Sequence, residues 1–129
     1  MPSVAPCRFF KNAYEFVGRK RRDDIPDHTR GIYVLLKRKE HGKYDVVYIG
    51  CSAGIRSGIW ARMKSHDNSK LDWTHFSVFE VHDNISREEI RELEGLFLSI
   101  YRLDSRANRL NRQRSHGKLN EIVKPLPKR

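Results

Sequence analysis

The sequence predicts an α+β domain: a small three-stranded antiparallel sheet flanked by helices, in the order β-β-α-β-α. Three observations predict it. Residues 32–36 and 44–49 are rich in β-branched and aromatic side chains and are separated by His41, Gly42 and Lys43, the composition of a hairpin and its turn. Residues 73–82, WTHFSVFEVH, alternate with apolar side chains on both sides, as in a strand covered on each face. Residues 55–66 and 86–101 carry apolar side chains at helical spacing. A chain of 129 residues with 38% hydrophobic content can bury one modest core. The organisation read from it is an N-terminal extension over 1–30 packing on or beside that core, the domain proper over 31–112, and a basic tail over 113–129.

Taken in order, residues 9–17, FFKNAYEFV, place apolar groups at roughly helical intervals and predict a short amphipathic helix lying on the main body. Gly18 and the basic run Arg19, Lys20, Arg21 and Arg22 end that pattern, and Asp23, Asp24, Pro26 and Asp27 favour a turn. In the hairpin that follows, antiparallel pairing sets Tyr33 and Tyr48 on neighbouring strands, and the period of two lets both phenols share one face. After a tight connector, Ile55, Ile59, Trp60 and Met63 form one helical face; Arg56, Arg62 and His66 lie off it, with Arg62 and His66 one turn apart on the same side.

The alternating strand should join the hairpin as its third member. His75 and His82 have no companion at a metal-ligand spacing and read as solvated or hydrogen-bonded. Ser86 and Glu89 form a capping box that starts the last helix. Its expected buried stripe is Ile90, Leu93, Phe97 and Ile100 with Leu96 and Tyr101 beside them, and Glu94 sits next to that stripe. A carboxylate there costs free energy unless something positive answers it, whereas Glu88, Glu89 and Glu92 are ordinary solvated acids.

The formal net charge is +10 with pI ≈ 9.9, which attracts polyanions, nucleic acid first. No long apolar run points to a membrane, and the N-terminus lacks the apolar core of a secretory signal, so the expected setting is intracellular, cytoplasm or nucleoid, and not secreted. Cys7 and Cys51 are the only cysteines and are expected as reduced thiols. Arg19, Lys20, Arg21, Arg22, Arg56, Lys64, Arg109, Arg112 and Arg114 are the expected phosphate-backbone contacts.

Gly31-Ile32-Tyr33 followed by Tyr48-Ile49-Gly50 resembles the defining pair of the GIY-YIG nuclease superfamily, letter for letter. That family places an arginine on the first helix after the second tripeptide, often with a histidine or tyrosine one turn later, and Arg62 with His66 resembles this arrangement. It also places a metal-binding glutamate on the helix after the third strand, which by resemblance is Glu94, with Glu92 as the alternative register. A family asparagine follows; Asn108 and Asn111 both qualify and Asn108 has the closer spacing, but Leu103 and Asp104 stand where many members have a proline.

The resemblance spans residues 31–111 and implies a metal-dependent endonuclease acting on DNA, duplex, nicked or branched, with Mg²⁺ or Mn²⁺ held by Glu94. By the same resemblance a hairpin tyrosine is the base. Tyr33 is expected as base or water-orienting residue, Tyr48 as a phosphate or tyrosine partner, and Asn108 or Asn111 as positioning groups, while Tyr48 and His66 compete with Tyr33 for the base.

The residues fit a phosphodiester hydrolase on chemical grounds as well. One carboxylate with the substrate phosphate suffices for a hard cation that keeps most of its waters, and an arginine suits the charge developing on the scissile phosphate. Specificity would come from the terminal segments, a homodimer or a partner protein. The rival expectation is a non-catalytic module binding single strands on an aromatic, basic sheet surface.

Overall fold

Sheet pairing begins earlier in the chain than the sequence suggests. In this computed structural model, which describes residues 8–54, 58–68, 72–101, 122 and 124–127, the N-terminal aromatic stretch is not a helix but a strand, β1 (Phe10–Gly18). It pairs antiparallel with β4 (His75–Val81). With β2 (Gly31–Arg38) and β3 (Tyr44–Ser52) it makes a four-stranded sheet of order β1-β4-β2-β3, not a three-stranded one. The expected third strand does pair with the hairpin, as β4 against β2. Residues 10–18 of the segment read as an extension are thus a strand of the sheet.

The helical spacing of β1 has a physical origin. Its register against β4 shifts between Phe10 and Asn12 and again between Tyr14 and Val17. Each shift inserts a residue and turns the following side chains to the other face, so strict alternation becomes spacings of three and four. A strand interrupted in this way imitates an amphipathic helix.

Two helices cover the two faces. On one face α1 (Ile59–Ser65) packs against a core of Ile25, Tyr33, Leu35, Val47, Ile59, Met63, Trp73, Phe76 and Val78. A seven-residue helix is too short to persist by itself. Burial of Ile59 and Met63, worth about 1.5–3 kcal/mol each, together with the Ile59 N–H donating to the Thr29 carbonyl at 3.0 Å, holds it in place.

On the other face α2 (Arg87–Tyr101) packs with Ile90 and Leu98 against Ile32, Ile49, Val81 and Ile85. The capping box forms as expected: the Glu89 N–H donates to Ser86 Oγ at 3.1 Å and the Ser86 N–H donates to Glu89 Oε1 at 2.9 Å. The backbone and side-chain bonds to Ser86 hold the Glu89 carboxyl below its ordinary range. The buried stripe is rotated relative to expectation: Ile90, Glu94 and Leu98 are buried, and Leu96, Ile100 and Tyr101 are exposed. Glu94 therefore stands inside the stripe rather than beside it.

Arg30, which the sequence reading passed over, ties the end of β3 to the start of α2. Its guanidinium donates to the carbonyls of Ala53 at 2.8 Å, Ile85 at 2.6 Å and His82 at 3.3 Å. The first glycine of the hairpin is equally constrained. Gly31 has φ 145°, and a Cβ there would land on the Phe79 carbonyl oxygen of β4. Gly31→Ala should therefore destabilise the fold by about 2–3 kcal/mol or more, as for other overpacked sites, read as a lowered denaturant midpoint with the slope unchanged.

Candidate active site

The tyrosine pair is built by register. Tyr33 lies opposite Gly50 and Leu35 opposite Tyr48, so Tyr33 and Tyr48 are diagonal neighbours on the face that α1 covers. Their rings stack with centroids 6.1 Å apart and planes 25° from parallel. Tyr33 is almost wholly buried, at 2% exposure. The glycine opposite makes this possible: a Cβ on Gly50 would lie 2.5 Å from both Cζ and Oη of Tyr33. The last residue of the second tripeptide is thus the seat for the phenol of the first.

His66, at the C-terminal end of α1, completes the cluster. A 2.9 Å hydrogen bond joins Tyr33 Oη and His66 Nε2, and the imidazole centroid is 4.5 Å from that of Tyr48. Arg62 stands one turn earlier on the same helix, exposed, and its guanidinium makes no hydrogen bond or ion pair among the described residues. Lys64, also exposed, lays its ammonium over the Trp60 ring at 4.9 Å from the centroid. Trp60 in turn donates from Nε1 to Asp23 at 2.8 Å.

The basic run after β1 forms a 3-10 turn, Arg19–Asp24, and much of it is occupied internally. Arg19 donates to Asp67 Oδ1 at 2.9 Å and to the Trp73 carbonyl at 3.0 Å, and its guanidinium lies over the Trp73 ring at 4.1 Å. Arg22 also bonds Asp67, and Arg21 pairs with Asp24 at 2.9 Å. Of the four, Lys20 is exposed and makes no ion pair among the described residues.

Asp67 follows His66 directly, so its grip by two guanidiniums fixes the turn that carries the imidazole. Burial alone would raise its pKa. The hydrogen bonds and charges of Arg19 and Arg22 outweigh that and hold the carboxyl below the ordinary aspartate range.

Glu94 is elsewhere. It is 7% exposed, and its Oε2 is buried with no hydrogen-bond partner among the described residues. It lies between Ile90 and Leu98 on the helix that covers the opposite face of the sheet from Tyr33, and no hydrogen bond or ion pair among the described residues joins it to the tyrosine cluster. A buried carboxylate oxygen left without a donor fits a hard cation as its partner. No group of three or more histidine, cysteine, aspartate or glutamate side chains that would hold a metal occurs among the described residues. Glu92, the alternative register, is exposed. Arg56, Asn108, Asn111, Arg109, Arg112 and Arg114 lie outside the described residues.

The structure thus brings together Tyr33, Tyr48 and His66, with Arg62 on the same helix as the histidine, and leaves Glu94 across the sheet. Asp67 is the support that sequence reasoning missed, and its adjacency to His66 was the only signal. No family model matches the chain, and no curated protein or solved structure matches it significantly. No helix among the described residues is long and apolar enough to cross a membrane.

Asp67→Asn should cost about 1.5–3 kcal/mol at neutral pH, the range for hydrogen bonds to charged groups. Because the folded pKa is depressed, the stabilisation is present above the value of an unfolded aspartate and is lost as pH falls through the lower folded value. Thermal melts of the two proteins should therefore differ at pH 7 and converge in strong acid; an equal gap at every pH would remove the ion pair as the cause.

Proposed function

We propose that the chain is a metal-dependent endonuclease that hydrolyses phosphodiester bonds of DNA with GIY-YIG-type chemistry. The observation that carries the reading is the Tyr33–His66 hydrogen bond at 2.9 Å, with Tyr48 stacked beside it and Gly50 making the space. A phenol is a weak base at neutral pH, and an imidazole that accepts its proton gives it a route to act on an attacking water. In this reading Tyr33 orients or deprotonates the water through His66. Tyr48 bounds the phosphate, and Arg62, exposed and not engaged by an acid among the described residues, receives the charge that grows on the equatorial oxygens.

Glu94 is the group that would hold Mg²⁺ or Mn²⁺, which when bound supplies positive charge at the leaving oxygen. β3 is an edge strand that both helices touch, so groups from the two faces would approach a common phosphate around that edge. DNA is the partner favoured by the net charge of +10. Specificity is assigned to the terminal segments, to a second copy or to a partner protein.

The second reading is a non-catalytic nucleic-acid-binding module, favoured by the position of Glu94 across the sheet from the tyrosines. Incubation with supercoiled plasmid and Mg²⁺ separates the two. Nicking should appear with the unmodified chain and fall by at least about a hundredfold in Arg62→Ala and in Glu94→Gln, consistent with loss of a single electrostatic contribution to the transition state. Tyr33→Phe should flatten the rise of rate with pH. Plasmid binding without nicking, unchanged by metal or by Glu94→Gln, establishes the binding module instead.

A further inference from the structure

The sheet face that α2 covers at Ile32 and Ile49 runs on beyond the helix to a set of aromatic rings. Counting by twos along β2 from Ile32 through Val34 and Leu36 reaches Arg38, whose cross-strand partner is Tyr44, and Leu36 pairs with His75 of β4. Phe16 of β1 joins them. The Phe16 and Tyr44 centroids are 4.8 Å apart at 31°, and the Tyr44 and His75 centroids 5.2 Å apart at 76°. The three rings thus form a continuous surface spanning the sheet, on the face away from Tyr33 and Tyr48.

Phe16 is 52% exposed, although an aromatic ring of this size is ordinarily buried. It is held there by the second register shift of β1, with φ 55° and its N–H donating to Ser77 Oγ at 3.1 Å. A bulge here re-aims a ring outward. Arg38 and Lys43 are exposed and make no ion pair among the described residues; of the nearby acids, Asp45 and Asp72 are answered by Lys39 and Lys37, and Glu15 and Glu40 are exposed.

We infer that this surface stacks the bases of a single-stranded nucleic acid segment. Rings supply sequence-tolerant π-faces, Arg38 and Lys43 supply the contacts to the phosphate backbone, and only an unpaired strand offers its bases to such a platform. A second copy of the chain is a poor occupant, because it brings its own charge of +10 to the same cations. The inference stands on the rings and cations alone and does not depend on the cleavage reading.

Fluorescence anisotropy with labelled single-stranded oligonucleotides of DNA and of RNA, in chelator so that no metal is present, tests it. Phe16→Ala and Tyr44→Ala should each weaken binding by roughly tenfold, the loss expected for one stacked base, with duplex of the same length less affected. Arg38→Gln should weaken binding and flatten its salt dependence. Glu94→Gln should bind as the unmodified chain does, even where it has lost nicking. Phe16→Trp, a substitution at an exposed site, should keep the affinity and show its added emission quenched by the oligonucleotide. Comparable affinity for DNA and RNA supports base stacking, and tighter RNA binding that is still lost in Phe16→Ala supports it with a 2′-hydroxyl contact added. Unchanged affinity in Phe16→Ala and Tyr44→Ala, or an unmoved Phe16→Trp signal, overturns the inference. So does a dimer that Phe16→Ala dissociates with no change in oligonucleotide binding.

Discussion

The missing side chain of Gly50 is the constraint on which the tyrosine cluster depends. With any Cβ at that position the Tyr33 phenol has no room in the core, and without the phenol there the His66 imidazole loses its partner at 2.9 Å. The two tripeptides of the hairpin are thus halves of one packing unit and not independent motifs. Register enforces the same arrangement. A slip of one residue between β2 and β3 would send Tyr33 to the face occupied by α2 and bring Ile32 under α1. Gly31 resists such a slip from the other side, because β4 passes too close for a side chain.

Charge in this chain divides into two populations. Arg19 and Arg22 converge on Asp67, and Arg30 is consumed by backbone carbonyls, so these cations build the framework and their fields are largely answered locally. Others, Arg62, Lys20, Arg38 and Lys43 among them, are exposed without an acidic partner among the described residues and contribute to the positive field of the surface. Arg62 accompanies the tyrosines on one face; Arg38 accompanies the rings on the other. A count of basic residues does not separate these roles. The position of Asp67 does, because one carboxylate converts two arginines of an apparently solvated run into structure.

What was legible in the sequence was local. The hairpin, its turn at His41 and Gly42, the alternating strand and the Ser86–Glu89 capping box each rest on interactions within a few residues, and each forms. The strand β1 was not legible, because its two register shifts erase the period of two that would announce it, and its reason for being a strand is a partner some 60 residues away. The orientation of α2 was half legible. Apolar side chains at Leu96, Ile100 and Tyr101 suggested a stripe that the sheet does not cover, while Glu94 took a buried place that pattern alone gives to an aliphatic residue. The tyrosine pair was found through its tripeptides, but the steric role of Gly50 needed the cross-strand register.

Two buried side-chain atoms lack a partner among the described residues, Trp73 Nε1 and Glu94 Oε2, and their costs are unequal. The indole N–H is neutral, so leaving it without an acceptor among the described residues costs less than leaving a charge unanswered, and its ring also has the Arg19 guanidinium on one face. A carboxylate between Ile90 and Leu98 has no such compensation among the described residues. Leucine there would extend the apolar stripe and stabilise the helix on the sheet, whereas a buried carboxyl oxygen left without a partner costs free energy. Packing alone therefore does not favour an acid at this position. In the nuclease reading proposed above, a divalent cation at Oε2 would offset that cost, and the stability of α2 would then respond to metal.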